Sequence, residues 1–293
     1  MRRVLRAAAL LILLALLPAT AEAGFREDEV RAAAEARGFE RIADRLAAAS
    51  RPALFLVPVK PERPLAAAGS HFAGRPLIPL GTPWPRCKGR AQTFLAKLDL
   101  TTLPPEAWEL GRLGGHLLVF TQVEFESDRR RPGYGLWAGD CTTVLHVPAS
   151  TPVHRRGPPA GTQVLKMKRK AIRFLVRPDI PDTRLDTFRL MRPLGSINVR
   201  PRWEAYGDLR SDLQDVEDFH YVENKLLGYV ESPNGGPRCY ARAERDGWRH
   251  LFTMGPEYAR FEVADAGRLQ IAIRERDLLR GRFDRICGIF DSA

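Results

Sequence analysis

Hydrophobic positions change period along this chain. Over residues 26–49, Val30, Ala33, Ala34, Ile42 and Leu46 recur at helical spacing, which predicts a helix with Gly38 as its weak interior point and Arg51-Pro52 as its end. Ala53 to Val59 is a short apolar run bounded by prolines and predicts a buried strand. Residues 61–85 are rich in turn formers. Phe94–Leu100 and Leu117–Val123 predict strands, separated by Pro104-Pro105 and the Gly114-Gly115 turn. Residues 124–163 predict loops with a strand near Thr142–Val147. Residues 164–176 alternate basic and apolar side chains as a strand does. Tyr206, Leu209, Leu213 and Val216 predict a helix within 203–223. Strands are expected near 269–273 and 285–290, with a short helix after Arg274. Strands cluster at both ends without regular βαβ alternation, so the expected class is α+β.

Two stretches of this pattern repeat. Gly74 and Gly228 are 154 residues apart, Gly115 and Gly267 are 152 apart, Cys87 and Cys239 152, and Leu95 and Leu251 156. Each stretch reads as a glycine turn, a loop, an apolar strand and a second strand entered through glycine. The expectation is a duplicated β-rich unit with mixed or antiparallel sheets, packed into one compact two-lobed domain behind an N-terminal helix. The half-repeats cover about 51–123 and 224–293, with a variable middle at 124–223. A pseudo-symmetric cleft between the halves is the expected ligand site.

Ahead of these elements, Arg2, Arg3 and Arg6 precede an unbroken apolar run from Ala7 to Leu17, then Pro18 and Ala21-Glu22-Ala23. This is the pattern of a secretory leader, with cleavage expected between Ala23 and Gly24. The run is shorter than the roughly 20 apolar residues that span a bilayer. The expected domains are therefore a signal peptide at 1–23, a helix at 24–50 and one domain at 51–293. The mature chain is expected to lack a transmembrane segment and to be periplasmic or secreted.

The 293 residues carry a formal charge of +11, with Lys+Arg 46 against Asp+Glu 35. Removing the leader takes three arginines and one glutamate and leaves +9. Such an excess raises nucleic-acid binding. Arginine far outnumbers lysine, however, and the one dense basic run, Lys166, Lys168, Arg169, Lys170, Arg173 and Arg177, reads as the solvated face of an edge strand. An acidic counterpart follows at Glu204, Asp208, Asp212, Asp215, Glu217, Asp218 and Glu223. Nucleic acid is not an expected partner. Cys87, Cys141, Cys239 and Cys287 form no CxxC pair, and two disulfides are the expectation, with three connectivities left open.

Ser70-His71-Phe72-Ala73-Gly74-Arg75-Pro76, Trp84-Pro85 and Phe94-Leu95-Ala96-Lys97-Leu98-Asp99-Leu100 resemble the YwqG-like family, a bacterial domain of unknown function whose usual forms are close to SHFGGxP, WP and FLAQIxL. Lys225-Leu226-Leu227-Gly228-Tyr229 and Asp265-Ala266-Gly267-Arg268-Leu269 extend the resemblance to the C-terminus. Ala73 replaces the first glycine of the usual pair, and Lys97 stands where glutamine is typical. Cys87 is followed by Lys88-Gly89-Arg90, where members often carry a CxxC-like cluster. The resemblance implies an α+β fold with a duplicated β-rich unit, and it implies no reaction.

No complete catalytic constellation emerges. Ser70 and His71 are adjacent, so on a strand they point to opposite faces and form no dyad. Asp218, His220 and Glu223 make a weak metal pattern. No metal, cofactor or catalytic residue is expected. The candidate ligand-binding residues are His71, Trp84, Asp99, Tyr229, Asp265 and Arg268, with Asp99 and Asp265 able to pair across the cleft or to cap turns. The leading expectation is a non-enzymatic envelope protein that binds a partner protein or a small molecule. A hydrolase using His71, Asp99, Asp265 and Arg268, and a toxin-neutralising partner protein, are the alternatives.

Overall fold

The computed structural model describes residues 26–59, 69–125, 135–161, 168–182, 200–214, 224–230, 247–255 and 267–291. The expected leader, Lys166, Val216, the Asp218, His220 and Glu223 group, Cys239 and Asp265 lie outside them. Among the described residues, no helix is long and apolar enough to cross a membrane.

The expected N-terminal helix is two helices, α1 (Glu27–Ala36) and α2 (Ala43–Ala49), joined through a 3-10 turn at Glu40–Ile42. The break falls at Gly38, whose φ of 79° takes the chain out of the right-handed helix. Glu27, Asp28 and Glu29 occupy the first turn of α1, where the unpaired amides favour negative charge.

The chain then lays down β1 (Arg51–Val59), β2 (His71–Phe72), β3 (Leu77–Pro79), β4 (Arg86–Cys87), β5 (Arg90–Ala91) and β6 (Thr93–Asp99). A short helix, α3 (Trp108–Gly111), leads into β7 (His116–Phe125), β8 (Gly135–Val147), β9 (Val153–Arg155) and β10 (Lys170–Asp179). The longest helix, α4 (Arg200–Gln214), precedes β11 (Lys225–Leu227), β12 (Trp248–Met254) and β13 (Arg268–Arg274). The last elements are α5 (Glu275–Leu278) and β14 (Ile286–Asp291).

Ten strands form one antiparallel sheet in the order β14-β13-β12-β11-β1-β10-β2-β6-β7-β8, and β3-β9 and β4-β5 are separate two-stranded ribbons. The long sheet curls until β14 approaches β8, so it is nearly closed into a barrel. Leu54, Leu98, Val119, Phe252, Ile271 and Phe283 share the enclosed core. Strands from both halves belong to this one core. The ladder reads alike from either end: β2-β6-β7-β8 and β11-β12-β13-β14 flank the central pair β10 and β1. β6 bulges between Phe94 and Ala96 against β7, and β12 bulges between His250 and Phe252 against β13.

β1 contains two prolines because only its middle is paired on both sides. β11 covers Ala53–Phe55, whereas Pro52 and Pro58 lie beyond it, where a missing amide breaks no second ladder. The basic strand departs from expectation: β10 is not an edge. It pairs with β1 along its whole length and with β2 at Lys170 and Ala171. Asp208 and Asp212 face Arg37 on the neighbouring helix pair, the closer contact being 2.7 Å. Tyr206, Leu209 and Leu213 turn inward to join Val30, Ile42 and Leu46 in a second core, with Phe39 edge-on to Tyr206 at 5.7 Å.

Candidate functional site

Three of the six candidate residues gather on the outer side of β2, β6 and β7. Strand alternation places Lys97 and Asp99 on one face of β6 and His116, Leu118 and Phe120 on the same face of β7. His71 on β2 lies directly opposite Lys97, and Asp99 lies opposite His116. Aromatic rings floor this face: His71 is edge-on to Phe94 at 6.0 Å, Phe94 meets Phe120 at 5.3 Å, and Trp84 meets Phe120 at 5.5 Å. Trp84 is anchored by donating its indole N–H to the Gln92 carbonyl at 2.8 Å. It builds the floor and is buried within it.

The rim is cationic. Ala73 and Gly74 both have positive φ, at 54° and 88°, and this turn lets the Arg169 side chain lie against Gly74. A Cβ there would approach Arg169 Cδ to 3.1 Å. His71 Nδ1 and the Ala73 carbonyl are 2.8 Å apart, so Nδ1 carries the proton and Nε2 keeps its lone pair. Burial, then the positive charges of Arg169 and Lys97, push the His71 pKa down to about 4. Burial lowers Lys97 too, with Asp99 opposing the shift and Arg169 adding to it. Arg169 is lowered by burial and by Arg155, and His116 by burial, against the Leu77 carbonyl beside it. Asp99 caps a 3-10 turn: its Oδ1 accepts from the Thr101 amide at 3.1 Å and the Thr101 hydroxyl at 2.6 Å. Its own amide donates to Ser70 Oγ at 2.8 Å. The capping role weighed for this residue is the one that it performs.

Tyr229 and Arg268 are elsewhere. Tyr229 is buried after β11, its hydroxyl donating to the Ala49 carbonyl and its ring lying 4.6 Å from the Arg51 guanidinium. Arg268 opens β13, in the other half of the sheet, with Asp291 as its backbone partner. Of the hydrolase reading, His71, Asp99 and Arg268 are therefore not brought to one point among the described residues, and Asp265 lies outside them. Nor do those residues hold a cluster of three or more His, Cys, Asp or Glu side chains fit for a metal ion.

Sequence reasoning missed a second polar cluster, on β11 and β12. Lys225 donates to Asp179 Oδ2 at 2.7 Å, both side chains being at most 2% exposed. Asp179 also accepts from the Tyr229 amide at 2.7 Å and from Gln214 Nε2 at 3.0 Å. His250 bridges the Leu227 carbonyl and the Thr253 hydroxyl, each at 2.6 Å. Gly228 is required here, since a Cβ would stand 2.4 Å from Asp179 Oδ2. The available signal was a lysine heading an apolar triplet, Lys225-Leu226-Leu227. Lys97 inside Phe94–Leu100 was a signal of the same kind.

Cys87 on β4 is disulfide-bonded to Cys141 on β8, tying the small ribbon to the sheet, and Cys287 is disulfide-bonded as well. A groove of about 470 Å3 opens along the seam between β8 and β14, lined by Thr142, Thr143, His146, Arg282, Phe283 and Asp284 among others. It contains none of the six candidates.

The fold and this face define a disulfide-tied, nearly closed antiparallel sheet with a buried cationic shelf on its outer side. The family model described as "Domain of unknown function (DUF1963)" matches residues 70–291, so the chain belongs to that family. No curated protein matches the chain.

Proposed function

We propose that this is an exported, YwqG-like binding protein of the bacterial envelope, and that the shelf formed by His71, Lys97 and Arg169 takes a small anion such as a carboxylate or a phosphate. The observation that carries this reading is the placement of His71 directly across from Lys97, with Arg169 lying over Gly74 beside them. Lys97 and Arg169 bring positive charge to one partly desolvated face, where an anion would gain more from it than it would in water. Neutral His71 has its Nδ1 proton engaged by the Ala73 carbonyl, so it can donate to the anion only by taking up a second proton at Nε2. Binding rather than catalysis is favoured because Asp99, two residues from Lys97 on the same face of β6, is committed to its turn.

Export is supported by the leader pattern and by disulfides, which persist in oxidising compartments. Duplication is supported by the mirrored ladder, the two bulges 156 residues apart, and the paired positive φ values at Ala73-Gly74 and Leu227-Gly228.

The test is a titration of the purified mature protein with inorganic phosphate and acetate, followed by calorimetry and by the His71 ring signals in NMR. The expected result is saturable binding that raises the His71 pKa from about 4 and is lost in Lys97→Met. Binding that is unchanged in Lys97→Met, or a His71 titration indifferent to both anions, refutes the shelf.

A further inference from the structure

At one end of the sheet, the connections β6–β7 and β13–β14 meet, and each carries an exposed apolar side chain. Trp108, the first residue of α3, is 59% exposed, and Leu279, just after α5, is 38% exposed. Arg112 joins them: its guanidinium lies 5.8 Å from the Trp108 ring centre, and its Nη2 donates to the Leu279 carbonyl. Arg249 locks the two connections together by pairing with Glu109 at 2.5 Å and Glu275 at 3.2 Å.

The surroundings of this tip are basic. Leu279 and Arg280 follow Arg276 by three and four residues at α5 and its C-cap, and all three are exposed, while Asp277 and Leu278 are buried. Arg282 follows on the exposed turn. Among the nearby acids, Glu109 and Glu275 are both engaged by Arg249, and Asp284 has Arg285 at 3.9 Å.

We infer that this end of the molecule docks on an anionic lipid bilayer, with Trp108 and Leu279 entering the headgroup region and Arg112, Arg276, Arg280 and Arg282 contacting lipid phosphates. A protruding indole and a leucine at the tip, ringed by arginines, match what an interfacial anchor needs: a small apolar wedge for the acyl boundary and positive charge for the surface potential. The charge excess left after removal of the leader, (46 − 3) − (35 − 1) = +9, acts in the same direction. A flat acidic protein partner would meet the arginines but would have to provide a pocket for the wedge. A bilayer accepts the wedge anywhere. This inference does not rest on the anion shelf, which lies on a different surface.

The experiment is co-sedimentation of the mature protein with vesicles of phosphatidylglycerol and phosphatidylcholine in equal parts, against vesicles of phosphatidylcholine alone. The expected outcome is binding to the anionic vesicles only, weakened at least about tenfold in the double variant Trp108→Ser/Leu279→Ser and at least about tenfold by raising the salt from 0.05 to 0.5 M. Circular dichroism checks that the variant folds. Trp203→Ser removes another exposed tryptophan, 47% exposed on α4, and is expected to leave binding unchanged. Equal binding to both vesicle types, no binding to either, full binding by the double variant, or an equal loss in Trp203→Ser each overturns the inference.

Discussion

Acidification from pH 7 to pH 4 probes the burial of His71 directly. In the folded chain its ring takes a proton near pH 4, whereas an unconstrained histidine does so at 6.5, because the charged form would lose its water and face Arg169 and Lys97. Between these two values the unfolded chain binds a proton that the folded chain refuses. Stability therefore falls as the pH falls. The loss begins as the pH drops through 6.5, grows steadily, and levels off below 4. Two and a half pH units at about 1.36 kcal/mol each give about 3 kcal/mol in all. His116 is also lowered by burial and adds a loss of the same sign. Urea unfolding with the disulfides intact, repeated across this pH range for wild type and His71→Gln, isolates the His71 part. The expected result is a pH dependence about 3 kcal/mol shallower in the variant. Parallel stability profiles for the two proteins would refute the reasoning, because they would mean that His71 does not resist protonation in the fold.

The buried ion pair gives a second expectation. Lys225→Met leaves the Asp179 carboxylate without its cation and should cost about 3–5 kcal/mol in chemical denaturation, while the double variant Lys225→Met/Asp179→Leu recovers part of that loss. Two glycines with nearly equal φ separate backbone strain from crowding. Gly38→Ala meets nothing within 4 Å and should cost about 1–2 kcal/mol, whereas Gly228→Ala also meets Asp179 and Ala53 and should cost at least about 3 kcal/mol, read as the difference between the two melting curves. Peptide mapping without reductant should recover Cys87 linked to Cys141. Replacing both by alanine releases a loop with a sequence separation of 54 and should lower stability by about 4 kcal/mol on chain-entropy grounds, measured by urea unfolding.

The local elements of the fold were legible in the sequence. β6, β7, β13 and α5 lie within a residue or two of where period and turn residues put them, because each pairs or packs with a near neighbour in the chain. The inward face of α4 was legible for the same reason, through Tyr206, Leu209 and Leu213. The place of β10 was not. Its lysines and arginines describe a side chain's chemistry, while its position between β1 and β2 depends on partners up to 128 residues away. The shelf was half legible: His71 and Asp99 were picked from their motif, but Lys97 and Arg169 look like surface charges until the cross-strand register and the turn at Gly74 bring them over one another. Asp179 and Lys225 lie 46 residues apart, and no local pattern announces that they meet.

The position of β1 has a consequence for how the chain reaches this state. It is the first strand made, yet its partners are β10 and β11, which follow more than 100 residues later. The hairpins β6–β7–β8 and β12–β13–β14 close through short connections and can form early, but the sheet cannot be joined at its middle until the polypeptide is almost complete. An unpaired Ala53–Val57, wholly apolar, must wait in the meantime and presents a sticky template to other chains. A holding chaperone bound to that segment would keep the chain unfolded until late, the condition that transport through a narrow channel demands.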